Sequence, residues 1–197
     1  MRDAAVYCLG DSLTAGYGVE GTECWVYLSA VSTGLKLFNA GMNGDSTSGM
    51  YRRFCRDMEH RTPDLLFLLG GGNDIMEDGD DHGARRGMGL ILNHAADRSI
   101  PVMLAAPYPF LPDMAERFWR AGLDFDVVNS IQREYAEWLR AEAGERGIPI
   151  VDLWALFSSL DAVVVRRLFL DGVHLLPEGH RMIADLVAER LKEFFDK

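Results

Sequence analysis

The 197 residues suit one domain, and one domain spanning 1–197 is expected. Of these residues 48% are apolar, enough for a sizeable core. With 20 basic against 30 acidic residues the formal net charge is -10, which repels polyanions and argues against nucleic acid or anionic membranes as partners.

The chain opens on a short apolar run at 4–9, too brief for a secretory leader, and no stretch is long enough to span a bilayer. Cys8, Cys24 and Cys55 form no Cys-x-x-Cys pair and are odd in number, so neither a disulfide framework nor a zinc site is expected. Reduced thiols fit a reducing compartment, and a cytoplasmic location is the expectation.

The run at 4–9 reads as the first strand, followed by Gly10-Asp11-Ser12-Leu13. A weak helical pattern at 25–32 leads to a second strand at 35–39 and then to Asn39-Ala40-Gly41-Met42-Asn43-Gly44. After a weak helix at 48–59 comes a third strand, 65–69, with Gly70-Gly71-Gly72-Asn73-Asp74 behind it. A weak helix at 85–96 precedes the fourth strand, 102–106. Residues 127–143 form an amphipathic helix with Val127, Ile131, Tyr135, Trp138 and Leu139 on one face, and Gly147 is a suitable stop. The fifth strand follows at 148–153. Asp171-Gly172-Val173-His174 then precedes a last helix, 180–195, whose apolar face carries Ile183, Leu186, Val187, Leu191 and Phe194, with Pro177 in its first turn. Each strand is a continuous apolar run, the pattern of strands covered on both faces. Alternating strands and helices predict an α/β fold with a parallel sheet, for which the commonest five-stranded order is 2-1-3-4-5.

Sites in such sheets lie beyond the carboxyl ends of the strands. The predicted order puts strand one between strands two and three, so Ser12 is flanked by Gly44 and Asn73. A serine needs a base to take its proton, and His174 is the best candidate, with Asp171 three residues before it to orient the ring. The oxygen that becomes negative needs donors, which the N–H groups of Ser12 and Gly44 and the side-chain amide of Asn73 can supply.

These residues resemble those of the SGNH hydrolases, also called GDSL esterases and lipases. The resemblance rests on Gly10-Asp11-Ser12-Leu13, Asn39-x-Gly41-x-x-Gly44, Gly71-x-Asn73-Asp74 and Asp171-x-x-His174, in that order and across most of the chain. It implies a flavodoxin-like three-layer α/β/α sandwich, no cofactor, and hydrolysis of an ester through an acyl-enzyme. It also implies catalytic roles for Ser12, Asp171 and His174, and an oxyanion hole of Ser12, Gly44 and Asn73. The Gly-x-Ser-x-Gly elbow of the α/β-hydrolases is absent, because Thr14 takes its last position.

Taken singly, Ser12 reads as a helix N-cap, Gly44 as a turn glycine and Asn73 as a turn-former, with Asp74 structural. His60, His82 and His94 read as solvated, and His180 as part of the last helix. Asp171, His174 and His180 offer no convincing metal set, so no metal is expected. Apolar residues near the predicted site, Tyr17, Tyr108 and Phe110 foremost, suit an acyl or aryl group but equally a lid's own packing. If it borders the pocket, the acidic stretch 77–81 should disfavour anionic substrates. The expected substrate is a small-molecule ester of short to medium chain. Acetylated sugars, thioesters and lysophospholipids are alternatives on the same site, and a non-catalytic flavodoxin-like binding domain is the alternative from another class.

Overall fold

A computed structural model describes residues 4–196. Five parallel strands form one sheet in the order β2-β1-β3-β4-β5. In chain order the elements are β1 (Ala5–Gly10), α1 (Ser12–Ala15), α2 (Trp25–Thr33), β2 (Lys36–Gly41), α3 (Thr47–Met58), β3 (Leu65–Leu69), α4 (Gly72–Asp78) and α5 (His82–Asp97). They continue with β4 (Val102–Ala106), α6 (Pro112–Phe118), α7 (Phe125–Arg146), β5 (Ile150–Asp152), α8 (Leu153–Ser158), α9 (Ala162–Arg166) and α10 (Pro177–Phe195). Right-handed crossovers send the chain to opposite faces as it steps from β1 to β2 and then back across β1 to β3. Accordingly α2 packs with α10, while α3 packs with α5.

The central strands are buried on both faces, as their unbroken apolar runs require: β3 and β4 have no partly exposed residue, and β1 only Ala5. The edge strand β2 departs from that expectation. It is largely accessible, with Phe38 47% exposed. The strand expected at 148–153 is cut to Ile150–Asp152, because the Asp152 carboxylate accepts the Ala155 N–H at 2.9 Å and starts α8. The long helix α7 keeps most of the predicted face, with Tyr135 and Leu139 buried and Ile131 and Trp138 packed on the core, but not Val127. Val127 is exposed, and Phe125, Val128, Gln132, Tyr135, Ala136 and Leu139 face inward.

The register aligns the strand ends that matter. Gly10 pairs with Gly41 on one side and Leu69 on the other, so the chain leaves β1, β2 and β3 at one level of the sheet. A side chain on Gly10 would meet Thr14 Oγ1 at 2.1 Å and the Leu69 carbonyl at 2.6 Å. Only glycine lets the chain turn this tightly into α1.

Candidate active site

Ser12 is the first residue of α1 and is 8% exposed. The cap of this short helix is Asp11, whose Oδ1 accepts the Leu13 N–H at 2.9 Å, so Ser12 is released from that task. Its hydroxyl lies 3.0 Å from Nε2 of His174. On the far side of the ring, Nδ1 lies 2.8 Å from Asp171 Oδ2. A carboxylate only accepts, so Nδ1 carries the proton and Nε2 presents its lone pair to the Ser12 hydroxyl.

Asp171 is fixed in turn, its Oδ1 accepting the backbone N–H groups of Val173 at 2.9 Å and His174 at 2.7 Å. Burial pushes this carboxyl up, but hydrogen bonds from the His174 ring and backbone, the nearby imidazole charge and the Val173 N–H outweigh it and hold the group below the usual carboxylate range. Asp171 is therefore an anion at neutral pH, suited to stabilising a charged imidazole.

Asn73 sits in the first turn of α4, a helix the sequence pattern does not reveal. Its Nδ2 donates to the Asp45 carbonyl at 3.0 Å. An amide nitrogen has two protons, so one remains for another acceptor. Gly44 adopts φ +72° in the loop between β2 and α3, and it lines a groove together with Asn73. Asp74 ties that loop down by accepting the Thr47 N–H at 2.9 Å and the Thr47 hydroxyl at 2.8 Å. Arg53 clamps it from below. Its guanidinium reaches Asp45 Oδ2 at 2.8 Å, the Ala40 carbonyl at 2.8 Å and the Gly10 carbonyl at 3.0 Å. Asn39 adds a bond from its Nδ2 to the Thr14 carbonyl at 2.8 Å, tying β2 to α1.

The three expected substrate contacts fare differently. Phe110 lines the small cavity beside Ser12. Tyr17 lies over the imidazole, ring centroids 4.3 Å apart. Tyr108 is corrected: it is buried in the core, packed on Phe157 and Phe169, and cannot meet a substrate. Its hydroxyl donates to the Val173 carbonyl at 3.0 Å and so supports the His174 loop from beneath. Trp119, at the end of α6 and not among the foremost candidates, meets the imidazole edge-on with centroids 4.5 Å apart.

The remaining histidines lie outside this arrangement. His60 and His82 are exposed, whereas His94 is half-buried on α5 with Nδ1 3.4 Å from Cys55 Sγ, so it is not simply solvated. His180 is buried on α10 and accepts the Trp25 N–H at 3.3 Å. Of the acidic stretch, Glu77 and Asp78 belong to α4 and only 79–81 form the turn after it. Among the described residues no group of three or more metal-ligating side chains is placed to hold an ion, and no helix is long and apolar enough to cross a membrane.

Solved structures with this fold include a lipolytic protein of the G-D-S-L family from Veillonella parvula DSM 2008, at 24% identity and TM-score 0.79 over 94% of this chain and 97% of that one. An aryl esterase from M. smegmatis is 17% identical, with TM-score 0.79 over 96% and 99% of the two chains. A carbohydrate acetylesterase family member from Sinorhizobium meliloti is 19% identical, with TM-score 0.78 over 98% and 100%. No curated protein sequence matches the chain. Residues 8–182 match the GDSL-like Lipase/Acylhydrolase family over most of the chain's length, and the protein belongs to that family.

Proposed function

We propose that the protein is a serine esterase that hydrolyses carboxylic esters through an acyl-enzyme on Ser12. The observation that carries this reading is the unbroken chain from Ser12 Oγ to His174 Nε2, at 3.0 Å, and from His174 Nδ1 to Asp171, at 2.8 Å. A hydroxyl becomes a competent nucleophile when a positioned base removes its proton, and this is such a base with its orienting acid.

Ser12 Oγ attacks the ester carbonyl carbon while its proton passes to His174 Nε2. The carbonyl oxygen becomes an oxyanion, held by the free Nδ2 proton of Asn73 and the N–H groups of Gly44 and Ser12. The intermediate collapses as the carbon–oxygen bond to the alcohol breaks, and the alcohol leaves with the proton from His174. Water then gives its proton to His174 and its oxygen to the acyl carbon, and Ser12 recovers its proton as the acid departs. No cofactor enters these steps. The small-molecule ester is the partner the site calls for. A purely binding role leaves the Ser12–His174–Asp171 chain without a use.

The test is hydrolysis of p-nitrophenyl esters by wild type and Ser12→Ala. The variant is expected to lose at least ~1000-fold in kcat, since the base has no proton to take. A variant as active as wild type overturns the reading.

A further inference from the structure

We propose that Cys55 is a reactive thiol with His94 as its base, and that it is the site at which low-molecular-weight disulfides modify this protein. The pair lies on the seam between α3 and α5, and no step of the proposed hydrolysis uses it.

The three thiols differ in their surroundings. Cys8 is fully buried in β1, and burial pushes its thiol far up. Cys24 is also buried, its Sγ donates to the Thr14 carbonyl at 3.4 Å, and burial pushes it up as well. A thiol that keeps its proton in an apolar interior is inert. Cys55 is only half-buried on α3, and two groups converge on its sulfur. His94 reaches across from α5 and places Nδ1 3.4 Å away. Tyr51, one turn earlier on α3, shares a hydrogen bond with the sulfur, which holds the phenol's proton more tightly than usual. Packing alone accounts for Cys8 and Cys24. It gives no account of an imidazole and a phenol directed at one sulfur.

The imidazole is held in place. Its ring meets Phe54 edge-on with centroids 5.4 Å apart, and Tyr51 at 6.0 Å. It stands in the last turn of α5, where the carbonyl end of the helix favours a positive charge. Arg52 and Glu59 lie one turn to either side of Cys55, a cation and an anion that offset each other. The imidazole is thus the group that sets the fate of the thiol proton.

The reaction is a thiol–disulfide exchange. The Cys55 proton passes to His94 Nδ1 as the sulfur attacks one sulfur of the disulfide, and the Tyr51 hydroxyl donates to the charge that develops on Sγ. A bond forms between Cys55 and that sulfur while the disulfide's own sulfur–sulfur bond breaks. The departing sulfur keeps the electron pair and takes the proton from His94. One thiol and one disulfide give a mixed disulfide and one thiol, so the disulfide is the only oxidant required.

The experiment incubates the native protein with excess glutathione disulfide at pH 7, follows adducts by intact mass and locates them by peptide mapping. One adduct is expected, on Cys55, with Cys8 and Cys24 unmodified. The rate at Cys55 should exceed that of the same cysteine in the urea-unfolded chain at least ~10-fold, because unfolding removes the base. Folded His94→Gln should slow the native reaction at least ~10-fold, and Tyr51→Phe by a smaller factor. Cys55→Ser should take up no adduct. His94→Asn repeats the test if the glutamine variant does not fold. The inference is overturned by a native protein that takes no adduct at Cys55, by a native rate no higher than the unfolded one, or by a folded His94 variant as fast as wild type. Ester hydrolysis plays no part in this readout, so its outcome is separate from that of the esterase reading.

Discussion

Asn73 holds two duties on one nitrogen. One Nδ2 proton secures the Asp45 carbonyl, and the other is free for the proposed oxyanion. Replacing Asn73 by Ala removes both, and kcat is expected to fall roughly 100- to 1000-fold, with KM changing much less. Steady-state kinetics on p-nitrophenyl acetate check this, and a kcat within threefold of wild type would remove Asn73 from the proposed oxyanion hole. At this scale the sequence was informative where function demands particular atoms at a strand end. Ser12 and Asn73 follow strand ends and Asp171 and His174 precede the last helix, and the structure brings Ser12, His174 and Asp171 into one hydrogen-bonded chain. Tyr108 was not legible, because its hydroxyl partner is the Val173 carbonyl 65 residues further along. Nothing local distinguishes a tyrosine that supports a loop from one that faces a ligand.

The loop between β2 and α3 is the element on which the proposed oxyanion hole depends, and Arg53 is its fastener. The guanidinium is largely shielded, with 12% of the side chain accessible, and it bridges the ends of two strands to Asp45. Its fixed fork satisfies all three at once, which a lysine ammonium on a thinner stem cannot reproduce. Arg53→Leu is expected to lower kcat by about tenfold or more while shifting KM less, since a small misplacement of positioned donors is costly. Arg53→Lys should recover part of that loss. A merely structural role predicts lower thermal stability with kcat intact in the folded fraction, so kinetics and a melting curve on the same sample distinguish the two. The sequence disclosed β3 and β4 as unbroken apolar runs, and α5, α7 and α10 because they are long enough for a helical period to repeat. It concealed α4, α6, α8 and α9, which run 7, 7, 6 and 5 residues, too short for a helical period to show. Trp119 stayed hidden for that reason: its position over His174 follows from the end of α6.

At the scale of the whole molecule, His180 links pH to stability. It is 3% exposed at the α2–α10 contact and accepts a backbone N–H, which requires a neutral ring. Burial, helped by the nearby His174, lowers its pKa to about 4 from 6.5. A base whose pKa falls on folding adds stability that is complete above the unfolded value and is lost as pH drops through 6.5 towards 4. The loss is about 3 kcal/mol, taking 1.36 kcal/mol for each pH unit between the two values. Asp11 acts oppositely over this range, because burial pushes it up to about 7 and its folded form keeps a proton that the unfolded chain releases. The comparison that isolates His180 is therefore denaturant unfolding of wild type against His180→Asn from pH 4 to 7. The difference in unfolding free energy should move by about 3 kcal/mol in favour of wild type as pH rises, and a difference independent of pH contradicts the assignment.

The contact between Ser12 and His174 joins residues 162 positions apart, one at the first turn of the chain and the other just before its last helix. Chain entropy resists so wide a closure until intervening contacts have already drawn the ends together. Every strand of the sheet lies within the span that this one hydrogen bond closes, apart from the first. On the proposed mechanism, a nascent chain released before the 171–174 turn has its nucleophile and no base. If the proposed pair carries the reaction, recovery of activity during refolding should track the final folding phase rather than the appearance of helix.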